Sequence, residues 1–377
     1  MNQMSFVPPH PPPMPVSFSG DRGEFFRLLR RGAGLELVTV GFYRFWLATD
    51  MRRHLWSNTQ IDGDAAEYTG RAKELLIGFL FALAILMPVY LAYFLAGLEA
   101  ERYRAFASFP LVAFFYVFGQ FAIYRARRYR LTRTVWRGVR FWMSGSGWAY
   151  AARSALWGVL LILTLGLVLP WREAALERYK MSHSYYGDLQ GSFEGRGWDF
   201  FKRGWWLWPL APIAFYVFPL APFVYGAFKA VQWRWWLSGI RFGGARLEST
   251  MGRGALIGFY WKVIGWVLLL AVVFAAYLAL CAVLVASMSG MPISQFFAPQ
   301  VVLKSIPLLI LAGLGYLVFA LAINVVMRVY LLRDLWVRVL ASTIVHDIEA
   351  AANVSARGEM ANALGEGFAD GLDVAGF

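Results

Sequence analysis

The sequence has one cysteine, few charges and no clustered histidines. Cys281 lies inside an apolar run, so no disulfide framework within the chain and no thiolate metal site is available. His10, His54, His183 and His346 are far apart and lack ligand spacing, so no metal and no cofactor are expected. Charged residues make up 16% of the chain, against about 25% in a soluble domain. No Asp or Glu falls in the middle of an apolar run, which counts against a proton- or cation-coupled carrier. No Ser–His–Asp set and no paired acids within the apolar runs stand out, so an enzyme is not expected. The opening residues have no charged stretch followed by an apolar one, which excludes a cleaved signal peptide.

What abounds is apolar. Hydrophobic residues reach 59% and aromatics 18%, with 17 tryptophans, a composition that asks for lipid rather than water as solvent. The net charge of +13 has two readings, nucleic-acid binding or the excess of basic residues in cytoplasmic loops. The basic residues lie between apolar runs and form no separate soluble module, which favours the second.

A span needs about 20 mostly apolar residues. Six segments qualify: Leu75–Leu98, Phe106–Tyr124, Ser154–Trp171, Trp205–Phe228, Ala255–Ser287 and Ile306–Met327. Leu35–Trp46 is shorter, carries Glu36 and Arg44, and reads as interfacial or partly inserted. The loops before the first span, after the second, after the fourth and after the sixth are rich in arginine. The loop after the third is mixed, with Glu173, Glu177, Asp188, Glu194 and Asp199. This alternation predicts cytoplasmic termini and places Gly187 on the opposite face from Arg140 and Arg246.

Self-similarity appears twice. Trp56, Lys73, Leu76 and Gly78 share their spacing with Trp136, Arg153, Leu156 and Gly158, and with Trp236, Arg253, Leu256 and Gly258, and Trp336 continues the series. A second pairing sets FSGDRGEFFR, from Phe18, against FEGRGWDFFK, from Phe193. Both suggest a duplicated unit. Tryptophan prefers the headgroup level and basic side chains snorkel toward phosphate, so Trp56, Lys73, Arg133, Trp136, Arg153, Trp236 and Arg253 are candidate lipid-headgroup contacts.

Other motifs weigh less. Ile61-Asp62-Gly63-Asp64 lacks the order of a calcium loop and reads as a turn. GSFEGRG, from Gly191, has no Lys-Ser or Lys-Thr after it and is no phosphate loop. The fourth span carries Pro209, Pro212, Pro219 and Pro222 in two Pro-Leu-Ala-Pro tetrads. Each removes a backbone donor, so a kink or unwound turn between Trp208 and Phe223 is expected, facing the bundle. Its alternatives are a packed kink and a cavity lined by Tyr216 or Tyr225.

GFYRFWLATDMRRHLWSNTQIDGDAAEYTG, the later WRGVRFW from Trp136, and ALGEGFADGLDV from Ala363 resemble the YjgN-like family of bacterial inner-membrane proteins, a domain of unknown function. The resemblance covers nearly the whole chain from Phe18 and implies a multi-pass inner-membrane protein. It brings no substrate, cofactor or catalytic residue.

The expected fold is therefore all-α: a polytopic bundle of about six spans built from internal repeats, with interfacial amphipathic segments. Its parts would be a disordered proline-rich tail over 1–17, a membrane domain over 18–345 and a cytoplasmic tail over 346–377. Two functions stay open, a transporter or channel for an unidentified solute and a protein that binds anionic lipid or acts as a scaffold. Membrane lipids are the expected partners, and nucleic acid is not.

Overall fold

The structure, a computed structural model, describes residues 14–102, 108–290, 305–362 and 370. Glycine punctuates short β-branched and aromatic runs at Asp62-Gly63, Arg137-Gly138, Gly187-Asp188 and Gly243-Gly244. At each point the chain forms a hairpin with three residues before the turn and five after it. The strands are β3 (Thr59–Ile61) and β4 (Asp64–Tyr68), β5 (Thr134–Trp136) and β6 (Val139–Met143), β7 (Ser184–Tyr186) and β8 (Leu189–Phe193), and β9 (Ile240–Phe242) and β10 (Ala245–Ser249). Asp62 and Gly63 both have positive φ, 54° and 79°, as do Arg137 and Gly138, 48° and 74°. That is the type I′ turn, whose twist matches the strands it joins.

Eleven strands form one antiparallel sheet, in the order β1-β11-β10-β9-β8-β7-β6-β5-β4-β3-β2. The end strands β1 (Met14–Pro15) and β2 (Ser17–Phe18) are separated only by Val16, whose amide donates to the Thr343 carbonyl at 3.1 Å. The sheet thus curves into a near-barrel, a ring that closes along the chain itself. β11 (Thr343–His346) pairs Ile344 with Pro15, as Gln60 pairs with Ala65. Segments from opposite ends of the ring's sequence therefore pair in the register of the four hairpins.

Register sends alternate side chains inward. Ile61, Trp136, Tyr186, Phe242 and Val345 are each the third residue of their strand, and all point to the ring's centre. Val16 and Phe141 pack beside them, and a 3₁₀ turn, Ile348–Ala351, covers them from the turn end. The centre is lined by apolar and aromatic side chains, and each large one buried there contributes about 1.5–3 kcal/mol.

Each three-residue strand is entered from a helix, and each five-residue strand leads into one. In an antiparallel ring this puts the four hairpin turns at one end and every helix at the other. Five helical excursions rise from the helix end: α1 (Arg22–Val38) with α2 (Arg44–Ser57), α3 (Ala72–Arg102) with α4 (Ser108–Thr132), and α5 (Gly147–Leu163) with α6 (Leu169–Ser182). The fourth is α7 (Gly197–Gly204) and α8 (Leu207–Tyr216) with α9 (Ala221–Gly239). The fifth is α10 (Ile257–Ser289) with α11 (Ile306–Met327), a π-helical stretch Arg328–Asp334 and α12 (Leu335–Ala341).

An all-α bundle of about six spans is overturned by this ring and by the helix lengths. Three helices are long and apolar enough to cross a membrane: Ala72–Gly97, Ile257–Ser289 and the continuous run Ile306–Ala341. They contain most of the expected spans Leu75–Leu98, Ala255–Ser287 and Ile306–Met327. The span expected at Phe106–Tyr124 lies partly outside the described residues. Its remainder is the apolar half of α4, which continues into Arg125, Arg127, Arg128 and Arg130.

Ser154–Trp171 and Trp205–Phe228 are not single helices. In the first, α5 ends at Leu163 and the chain reverses through 164–168. The reversal repeats, bond for bond, the one at 39–43. Thr39 and Thr164 hydroxyls donate to Leu35 and Leu160 carbonyls at 2.7 and 2.8 Å. Gly41 and Gly166 amides donate to Glu36 and Leu161 carbonyls at 2.7 and 2.8 Å. These are Schellman ends with a non-glycine residue, Val40 or Leu165, in the left-handed region. Both residues are almost fully exposed, 88% and 92%. Leu35–Trp46 is thus the apolar tip of a short helical hairpin.

In the second, helix α8 stops before Val217 and Phe218–Leu220 forms a 3₁₀ turn. Pro209 and Pro212 lie in α8, Pro219 in the turn and Pro222 in the first turn of α9. The prolines mark the tip of a third short hairpin. It does not face a bundle: Tyr216 is 85% exposed.

The face expected for Gly187 also changes. Its amide donates to the Arg140 carbonyl at 3.1 Å, and Trp142 Nε1 donates to the Gly187 carbonyl at 2.6 Å. The acidic loop after the third apolar run is therefore part of the same ring as the basic loops. The proline-rich segment overlaps the ring at Met14 and Pro15, its earlier part lying outside the described residues. The C-terminal segment contributes His346, Ile348, Ala351 and Asp370 to ordered structure.

Candidate functional site

The helix end of the ring gathers the chain's charge. Four first strands open with Thr59, Thr134, Ser184 or Thr343, each hydroxyl donating to the carbonyl four residues back, at 2.8–2.9 Å. This bond locks the last helical turn onto the strand, and Ile240 replaces it in the remaining unit. The same hydroxyls accept from tryptophan: Trp56 Nε1 donates to Thr134 and Trp336 Nε1 to Thr59, both at 3.0 Å. Trp56 and Trp336 stack at 5.1 Å, so neighbouring units are pinned together round the ring.

Helical spacing then divides the preceding residues into an inner and an outer set. Four and seven residues before the strands lie Arg52, Arg127, Arg130, Glu177 and Lys180. They form buried ion pairs. Arg52 holds Asp370 from the C-terminal segment, with Nη2 to Oδ1 at 3.1 Å, and its Nη1 meets Tyr68 Oη at 3.3 Å. Arg130 reaches the same carboxylate at 3.5 Å. Burial works against the charge on Arg52, and Asp370 and Tyr68 more than offset it.

Glu177 lies 3.2 Å from Arg127 and pairs with Lys180. Burial pushes its carboxyl up, but Lys180 and Arg127, aided by a hydrogen bond from Trp236, hold it at about 2. A depressed carboxyl stabilises the fold above its unfolded value of 4.5 and loses that contribution as pH falls toward 2. Glu177→Gln is therefore expected to cost about 3 kcal/mol at neutral pH and to flatten the acid limb of a melting-temperature profile. A variant that melts like the parent from neutral to acid pH would refute this role.

The outer set stands six residues before the strands: Arg53, Arg128, Arg178 and Arg234. Three are exposed and Arg128 is half-buried. At 1.5 Å per residue they sit about 9 Å above the ring, as a collar.

The expected headgroup contacts divide on this geometry. Lys73, Arg153 and Arg253 are exposed near the junction, with Arg153 over the Tyr179 ring at 4.3 Å. Trp56 and Trp236 are half-buried between helices. Arg133 and Trp136 are inside the protein. Arg133 Nε donates to Glu74 at 2.9 Å and its Nη2 to the Ala361 carbonyl at 3.1 Å, while Trp136 is in the ring's centre. Tyr225 packs edge-on against Tyr260 at 4.9 Å, apart from exposed Tyr216. Asp62 and Asp64 pair with Arg137 at 2.6 and 2.5 Å.

Trp56, Trp136, Trp236 and Trp336, which head the matching sequence copies, occupy four different places relative to their strands. Phe18 and Phe193 do occupy one place: Phe18 closes the run that β1, Val16 and β2 make together, as Phe193 closes β8. Inspection of the single apolar runs missed the collar and Asp370. The signal was the distance of each arginine from the next glycine turn.

A model of the family described as "Bacterial protein of unknown function (DUF898)" matches residues 13–230, more than half of the chain. No curated protein and no solved structure matches it.

Proposed function

We propose that this chain, which belongs to the DUF898 family of bacterial proteins of unknown function, the YjgN family, is a lipid-binding scaffold of the inner membrane. Its ring would lie on the cytoplasmic face, and its arginine collar would grip anionic headgroups. The observation that carries this reading is the collar itself: basic side chains from separate units stand at one height, beside helices long enough to cross the bilayer. Each basic residue near an anionic surface contributes about 1 kcal/mol.

The helical excursions support the same seating. A chain that crosses through α3 must return before Thr134, and one that crosses through α10 must return before Thr343, because both ends are tied to the ring. The short hairpins end in exposed Val40, Leu165 and Tyr216, suited to the near leaflet. Transport loses its specific support, because the proline-broken run is an exposed hairpin tip rather than a kink facing a bundle.

Reporter fusions at Gly63, Gly138, Gly187 and Gly243 should all read cytoplasm. In nanodiscs, the protein should melt higher in phosphatidylglycerol than in phosphatidylcholine, and the gap should close at about 1 M salt, where screening acts within ~3 Å. A periplasmic signal at Gly187, or equal melting in both lipids, would overturn the reading.

A further inference from the structure

Between the fourth and fifth units the collar deepens into a cavity of about 200 Å³, lined by Arg203, Arg234, Arg253, Ala230, Val231 and Met251. Three different parts of the chain supply the arginines. Arg203 is in the last turn of α7, Arg234 is in α9, and Arg253 lies four residues after the end of β10. All three are exposed, and none makes an ion pair among the described residues. The lining contains no carboxylate.

An adjoining cavity of about 290 Å³ shares Arg203 and Arg234 but is otherwise neutralised. There Arg241 pairs with Glu194 at 3.1 Å, Arg246 with Asp347 at 3.3 Å and His346 with Glu248 at 3.0 Å. The contrast is the informative part. In the adjoining cavity Arg241, Arg246 and His346 have found acids, and the three arginines at the first cavity converge without one among the described residues.

Guanidinium groups that converge on a small space repel one another unless an anion joins them. Their planar forks match phosphate oxygens. The cavity is below the ~300–1,000 Å³ range of drug-sized sites, which suits a phosphate and not a nucleotide. Its floor of Ala230, Val231 and Met251 is apolar, and Trp205, two residues after Arg203 in the chain, is exposed.

We infer that this cavity is a phosphate-binding site, occupied by the phosphate of a membrane lipid. The inference rests on the membrane seating proposed above. It requires a discrete site where that reading requires only a diffuse collar.

The test uses the full chain in neutral detergent, so that no bilayer charge contributes. Phosphatidic acid, phosphatidylglycerol, phosphatidylcholine and inorganic phosphate are titrated in turn and read by native mass spectrometry and thermal shift. Wild type should bind one phosphatidic acid, and Arg203→Gln/Arg234→Gln/Arg253→Gln should bind it at least tenfold more weakly. Binding of inorganic phosphate with the same loss would identify free phosphate as the occupant and overturn the lipid assignment while keeping the phosphate site. The three side chains are exposed and make no ion pair among the described residues, so the variant should melt like wild type. If it does not fold, Arg253→Gln alone, outside the helices, should still lose several-fold. Equal binding by wild type and variant, or binding by neither, would overturn the site. Loss confined to the nanodisc comparison would instead count against the collar.

Discussion

Asp370→Asn is expected to cost about 3–5 kcal/mol by stripping Arg52 and Arg130 of the carboxylate they share. Asp370 is only 6% exposed and faces two arginines, Arg52, itself 2% exposed, and Arg130. A buried pair adds little to stability by itself, because desolvation offsets attraction. Removing one member is different, since the other charge stays buried without compensation. Here a single carboxylate serves two guanidinium groups, so its loss leaves two positive charges facing each other beneath the helices. Asparagine keeps the shape and removes only the charge. Thermal unfolding in detergent should show the loss, and Asp370→Glu should recover part of it. If the variant melts with wild type, Arg52 and Arg130 are neutralised by something other than Asp370.

Legibility in the sequence differed sharply between elements. Long apolar runs announced α3, α10 and α11 without ambiguity, because about 20 uninterrupted apolar residues have few other uses. The reversal at Thr164-Leu165-Gly166 stayed hidden, because its own residues are apolar and a hydropathy sum passes straight over it. The proline tetrads were visible as a break. The structure makes that break a hairpin tip rather than a bend in one long helix. Strands of three residues fall below the window in which alternation can be read, and strands of five lie near its lower end. Their turns were nonetheless on display as Asp-Gly, Arg-Gly, Gly-Asp and Gly-Gly pairs. Reading Ile61-Asp62-Gly63-Asp64 as a turn agrees with the hairpin now seen there.

Of the two sequence self-matches, the contact geometry explains which one follows the structure. Phe18 and Phe193 end their strands and lay their rings over Gly20 and Gly195, where an added Cβ would come within 2.7 and 2.5 Å of the ring. The aromatic-x-Gly pattern is thus required by packing and recurs in register. In the tryptophan series Trp56 and Trp336 share a contact, each donating to a strand-opening threonine, while Trp136 lies in the ring's centre. For the candidate site, arginine abundance was legible. Its division into an ion-paired inner set and an exposed outer collar depends on which helix face meets the ring, and that required the strands.

The second large effect is expected at the seam of the ring. Val16 joins β1 to β2, is buried, and packs with Trp136, Tyr186 and Val345. Val16→Asp would place a carboxylate among aromatic and aliphatic side chains, where it must either stay charged without a partner or take up a proton. Either course costs several kcal/mol. The seam multiplies the effect, because the run from Met14 to Phe18 pairs with β11 on one side and β3 on the other. If it is expelled, two strand edges are left open, and open edges invite association. Val16→Asp should therefore reduce the monomeric protein recovered in detergent and lower its melting temperature far more than Val16→Ala. Cross-linking tests the closure apart from stability. Pro15 and Ile344 are register partners on the outer side of the ring, so Pro15→Cys with Ile344→Cys should form a disulfide under mild oxidant in isolated membranes. After proteolysis of the intervening chain, the two terminal fragments should then migrate together until reduced. Efficient folding of Val16→Asp together with no cross-link would show that the ring does not close through its termini.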